Sequence, residues 1–192
     1  MHRHRVTARS LWSAGVPPAT SYAERLFEFP QIGPLSAAAA RTAIEKPALA
    51  EGVKINADAL QKIFQATGGY PYFLQEWGKH SWEVAAASPI TAADVQRATQ
   101  TVIAALDEKF FRVRFDRLTP LEKRYLRAMA ELGAGPYRSG DIAEQLSRGV
   151  TSLAPTRGQL IAKGMIWSPG HGDTAFTVPM FDQFMRRIMP FE

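Results

Sequence analysis

The stretch Thr67-Gly68-Gly69-Tyr70-Pro71-Tyr72-Phe73-Leu74-Gln75-Glu76-Trp77 allows one local architecture, in which a helix stops at two glycines and a second helix starts at a proline. Glycine just past a helix accepts left-handed backbone without steric cost, and proline in a first turn gives up only an amide that has no intrahelical partner. A helix–turn–helix corner follows, and the surrounding residues have to supply helices that pack on it.

They do. Ser36 is placed to cap an alanine-rich helix from Ala37 to about Lys46, with Pro47 expected to close it. Asn56 is placed to cap a helix whose Leu60, Ile63 and Phe64 share a face, and Thr67-Gly68-Gly69 ends it. From about Pro71 to Ala86 the next helix carries Phe73, Leu74, Trp77 and Val84 at helical spacing. After the break at Ser88-Pro89, Thr91-Ala92-Ala93-Asp94 starts a long helix. Its Val95, Val102, Leu106, Phe110 and Val113 continue one apolar stripe towards Arg114. Residues 36–116 therefore read as an all-helical subdomain.

A second unit begins at Thr119-Pro120-Leu121-Glu122, which combines an N-cap, a proline at the first helical position and a glutamate at the third. Its helix turns Leu121, Tyr125, Met129 and Leu132 inward and ends at Gly133-Ala134-Gly135-Pro136. Ser139 caps a short helix, Ser147-Arg148-Gly149 makes a turn, and a third helix runs from about Ser152 to Lys163, ended by Gly164. Then the period changes. Met165–Ser168 and Thr174–Val178 read as strands around Pro169-Gly170-His171-Gly172-Asp173, before a last helix with Phe181, Phe184, Met185 and Ile188. Helix, helix, turn, helix, hairpin, helix is the order of a winged helix-turn-helix domain. The fold class is mainly α: a helical bundle over 36–116, a winged helix with a small hairpin over 117–192, and a lead-in over 1–35.

Composition narrows the function classes. With no cysteine among 192 residues, a disulfide framework and thiolate metal sites are excluded, and a cytoplasmic location is the default. The basic start Met1-His2-Arg3-His4-Arg5 is not followed by an apolar core of signal-peptide length, and no uncharged run of membrane-spanning length occurs. The net charge of +5 is uneven: residues 1–19 hold three arginines and no acid, 20–116 hold ten basic against eleven acidic residues, and 117–192 ten against seven. A small surplus at the two ends is compatible with a nucleic-acid partner but common in soluble domains.

In a winged helix the third helix usually enters the DNA major groove. Here its polar positions are Ser152, Thr156, Arg157, Gln159 and Lys163, with chemistry suited to base edges or phosphates. Pro155 and Gly158 weaken that helix, and duplex DNA contact stands level with a protein-packing role. His171 at the wing tip and Arg148 in the turn could touch a phosphate backbone or be solvated turn residues. His2 and His4 lie on a terminal tail, and His80 falls on the Phe73–Val84 helix, where a core or surface role outweighs catalysis. No nucleophile elbow, no His-Glu-x-x-His and no Gly-x-x-x-x-Gly-Lys-Ser/Thr loop occurs. No catalytic residues are assigned, and unaided this chain is not expected to hydrolyse a nucleotide.

The string Thr67–Gln75 resembles the Gly-x-Pro motif in the helical lid of AAA+ and STAND-type P-loop ATPases. Gly15-Val16-Pro17 looks like the end of the last core segments, and Ser21 to Leu35 like the passage from core to lid. Leu118-Thr119-Pro120-Leu121-Glu122 looks like the start of the winged helix that follows the lid in origin-initiator-like and related bacterial ATPases. The resemblance implies that Gly69, Tyr70 and Pro71 sit against the adenine of a bound ATP. It implies more weakly a phosphate-proximal or intersubunit role for Arg25, for which a surface ion pair with Glu24 or Glu28 is the alternative. The phosphate-binding loop and the acidic magnesium-binding strand of that family are missing, so ATP would need a P-loop core supplied from elsewhere, and the expectation is a fragment, a truncated product or a mis-assigned start. No metal site is expected from this chain, and the partners implied are duplex DNA, a P-loop core or further copies of the chain. Two other readings stay open: a free-standing winged-helix DNA-binding regulator, and a structural interaction module.

Overall fold

The computed structural model describes residues 33–133 and 135–190, and the chain falls into two compact units, up to Arg117 and from Leu118. It is mainly helical, with a three-stranded antiparallel sheet in the second unit. The expected lead-in over residues 1–35 lies almost wholly outside the described residues. Among the described residues no helix is long and apolar enough to cross a membrane.

The first unit holds α1 (Ala37–Ala50), α2 (Ala57–Thr67), α3 (Pro71–Val84), α4 (Ala92–Leu106) and α5 (Arg112–Phe115), with a π-helical segment, Asp107–Phe111, joining the last two. Ser36 caps α1 by accepting the Ala39 amide, and Thr91 with Asp94 forms a full capping box on α4. Both agree with the sequence reading, whereas Asn56 precedes α2 without a side-chain capping bond.

Two elements depart from it. Pro47 does not close α1, which runs on to Ala50. The ring removes one helical hydrogen bond, but Ala48 is buried and its carbonyl accepts the amides of Glu51 and Val53, so the extra turn is held from its far end. The stripe of the long helix also slips. One extra residue enters the turn at Asp107–Phe111, and from its last residue onward Phe111 and Phe115 face inward while Val113 is 46% exposed.

Phe73, Leu74 and Trp77 of α3 are buried against α4, whose Val95, Ala98, Val102 and Leu106 form the facing stripe. Each of these side chains larger than alanine contributes about 2 kcal/mol by leaving water. The loops entering α2 and α4 are tied together: Asn56 donates its amide to the Ile90 carbonyl at 2.9 Å, and Ile90 returns its own to Lys54 at 2.9 Å.

The second unit runs α6 (Pro120–Glu131), β1 (Tyr137–Arg138), α7 (Ser139–Gln145), α8 (Val150–Ala162), β2 (Ile166–Trp167), β3 (Asp173–Phe176) and α9 (Phe181–Ile188). β3 is the central strand, pairing antiparallel with β1 (Tyr137 opposite Thr174) and with β2 (Ile166 opposite Phe176). Helix α6 starts with the expected capping box, Thr119 accepting the Glu122 amide and Glu122 accepting that of Thr119 at 2.7 Å. The arrangement is a winged helix. Strand β1 is absent from the sequence reading because two residues show no alternation, and Ser139 opens α7 without capping it, its hydroxyl donating to Gly172 of the wing instead.

Candidate nucleotide-wall site and winged-helix surface

The α2–α3 corner is built around Gly69. Helix α2 ends as Gly68 turns left-handed at φ 57°, its amide donating to the Phe64 carbonyl at 2.9 Å. Gly69 follows at φ 77°, buried, its amide reaching the Thr67 hydroxyl at 3.3 Å. Its carbonyl accepts the Leu35 amide at 2.9 Å, which ties the segment entering α1 to the corner. A Cβ on Gly69 would press into the Leu35 carbonyl oxygen and come within 3.2 Å of Phe64, whereas one on Gly68 would meet nothing. The two glycines thus do different work: Gly68 ends a helix, and Gly69 lets two backbones touch.

Pro71 then opens α3 at the surface, with Tyr70 half-buried and Tyr72 exposed beside it. Pro71 and Tyr72 expose mainly apolar surface, the kind on which a purine ring packs. Behind them lies an aromatic cluster. Tyr70 lies 4.7 Å from Phe73, Tyr72 stacks on Phe110 at 5.0 Å with planes 18° apart, and Phe110 meets Phe73 and Phe111 edge-on at 5.3 Å. Burial pushes the Tyr70 hydroxyl above its ordinary pKa, an effect that the nearby Arg114 opposes. Sequence spacing places Phe73 and Phe110 in the core but does not bring Arg114 to the corner, because the π-helical turn that sets its register leaves no mark in the apolar pattern.

In the winged helix, the residues expected to meet DNA are placed in three ways. Ser152, Gln159 and His171 are exposed, as is Arg148. Thr156 is buried, facing inward from α8. Arg157 is bound within the unit: its Nε donates to the Thr174 hydroxyl at 2.9 Å and its Nη2 to the Asp173 carbonyl at 2.8 Å, so it fastens α8 to the central strand of the wing. Lys163 reaches Glu122 at 2.6 Å, joining the end of α8 to the start of α6. Between the starts of α7 and α8 and the wing, Arg138, Ser139, Val150, His171 and Asp173 line a shallow concavity of about 520 Å³.

Glu122 is 1% exposed. Its desolvation favours the neutral acid, but the ammonium of Lys163 and the amide and hydroxyl of Thr119 outweigh that and hold its pKa below the usual carboxylate range. His80 is tied to its own helix, with Nδ1 2.8 Å from Glu83 and Nε2 3.7 Å from Glu76. Among the described residues, no group of three or more His, Cys, Asp or Glu side chains could hold a metal ion. Arg25, His2 and His4 lie outside the described residues.

Fold and site together define a mainly helical chain with a glycine–proline corner in one unit and a winged helix in the other. A family model, a domain of unknown function (DUF8462), matches residues 108–185. No curated protein matches this sequence. Among solved structures, the chain is similar to the Thermotoga maritima RuvB Holliday junction branch migration motor, at 16% identity and a TM-score of 0.38, covering 75% of this chain and 47% of that one. It is also similar to two point mutants of Thermotoga maritima RuvB. One matches at 15% identity and a TM-score of 0.39, the other at 15% and 0.40, each over 83% of this chain and 51% of the mutant's. The chain spans about half the length of these structures.

Proposed function

We propose that this chain is the helical lid and winged-helix portion of an AAA+/STAND-like ATP-binding protein. The corner lies against adenine, and the nucleotide state is passed to a DNA or protein partner through the winged helix. The observation that carries the reading is the closure at Gly69. A glycine is required there for contact with Leu35, and that contact fixes the Tyr70 and Pro71 surfaces beside the point where the chain enters α1. A wall of this kind gives shape and apolar contact to a base but supplies no hydrolytic group, so the chain binds without catalysing. ATP hydrolysis belongs to a P-loop core supplied separately, as another chain or further sequence.

Photolabelling of the full chain with an azido-adenine analogue of ADP tests this. The expected label lies on the peptide containing Tyr70 and Pro71, is competed by ADP, and is reduced by Pro71→Ala. Label spread over the surface without competition contradicts it.

A second reading rests on the exposed set Arg148, Ser152, Gln159 and His171, which lies on the third helix, the turn before it and the wing. In that reading the chain is a free-standing winged-helix DNA-binding protein. Its mark would be salt-dependent duplex binding, weakened by Arg148→Ala, in the absence of any nucleotide effect.

A further inference from the structure

Arg114 stands out because its charge is half-buried and, among the described residues, faces no carboxylate within ion-pair distance. It lies on α5, with its guanidinium carbon 3.7 Å from the centroid of the Phe110 ring and its Nη1 donating to the Phe110 carbonyl at 2.8 Å. The groups that do act on it electrostatically are Tyr70, Tyr72 and the like-charged Arg117. Burial works against its charge, and the aromatic face recovers part of what that costs. A half-buried guanidinium with a carbonyl and an aromatic face but no anion is a group short of its natural partner.

Its position gives the partner's chemistry. Phe110 touches both corner tyrosines, with Tyr70 edge-on at 6.2 Å and Tyr72 stacked at 5.0 Å, so one aromatic ring separates the base wall from the guanidinium. The aromatic side takes a flat heterocycle, and the guanidinium takes an oxyanion through paired N–H donors. We propose that Arg114 is an anion-binding residue of this corner, holding the phosphate end of a nucleotide whose base lies on Tyr70 and Pro71. The proposal rests on the adenine reading above and adds a residue that the Gly-x-Pro string does not include. The π-helical turn at Asp107–Phe111 has a role in it, because that turn sets the register in which Phe110 and Arg114 face the corner.

The test follows the arginine side-chain Nε–Hε resonance of Arg114 and the amides of Gly69, Tyr70 and Tyr72 in the full chain. Pyrophosphate, adenosine and ADP are titrated separately at millimolar concentration. Pyrophosphate is expected to move the Arg114 resonance, adenosine the corner amides, and ADP both. Arg114→Gln is expected to weaken ADP by about tenfold, the loss of one charge-assisted contact, and to leave adenosine unchanged. Arg114→Lys, which keeps the charge, should restore part of the ADP affinity. Adenosine and ADP shifts at the amides with no response of Arg114 to pyrophosphate or ADP overturn the role of Arg114 and leave the adenine reading standing. A pyrophosphate response at Arg114 without any adenosine response overturns the adenine wall and keeps the anion site. Silence in all three titrations overturns both.

Discussion

At the scale of single residues, two adjacent glycines show how a common motif separates into unlike requirements. Both are left-handed, but only Gly69 faces another backbone. Gly68→Ala is expected to cost about 1 kcal/mol, the penalty of left-handed backbone for an L-residue. Gly69→Ala adds overpacking against Leu35 and Phe64 and should cost about 3 kcal/mol in total. Denaturant unfolding followed by circular dichroism separates the two, and equal losses would contradict the close approach. Glu122 makes a residue-scale statement about pH. Its pKa is lowered in the folded state, so the unfolded chain takes up the proton first as pH falls. The stabilisation is complete above the ordinary glutamate range and disappears as pH falls through the lower folded value. Glu122→Gln should flatten this acid limb in a pH series of unfolding midpoints, and an unchanged limb would contradict the Lys163 pairing.

At the scale of elements, start signals were legible and interior registers less so. Ser36, Thr91-Asp94 and Thr119-Pro120-Glu122 announce helices because capping is local chemistry, complete within four residues. Pro47 misleads because a helix can lose one hydrogen bond when the turn beyond is anchored through Ala48, a tertiary fact. Val113 misleads for a related reason. A π-helical turn adds one residue to the register, and periodicity counted across it assigns the wrong face. In the candidate site, the corner Gly69-Tyr70-Pro71 could be read from the order of residue types, whereas Arg114 could not. On α8, polar side chains suited to DNA were legible, but not that Thr156 turns inward or that Arg157 is engaged with Asp173 and Thr174. Arg157→Ala is therefore expected to destabilise the winged helix by about 2 kcal/mol, the loss of two hydrogen bonds, one of them to a buried threonine hydroxyl. Thermal unfolding checks it, and a variant as stable as the parent chain would contradict the fastening role.

At the scale of the whole molecule, the chain carries a glycine–proline corner in one unit and a winged helix in the other. The link proposed between them is thermodynamic. If nucleotide and partner each favour the same state of the chain, each must raise the other's affinity by the same factor. The small basic surplus of residues 117–192 makes any duplex contact dependent on salt, so such coupling is best sought at low ionic strength. The claim on which everything else depends is that adenine packs on Tyr70 and Pro71. The most direct measurement is the map of amide shifts across the chain on adding ADP. The largest changes are expected at Gly68, Gly69, Tyr70 and Tyr72, next to a proline that has no amide of its own. A shift map centred elsewhere, or guanosine diphosphate and ADP giving no change at these positions, would contradict it.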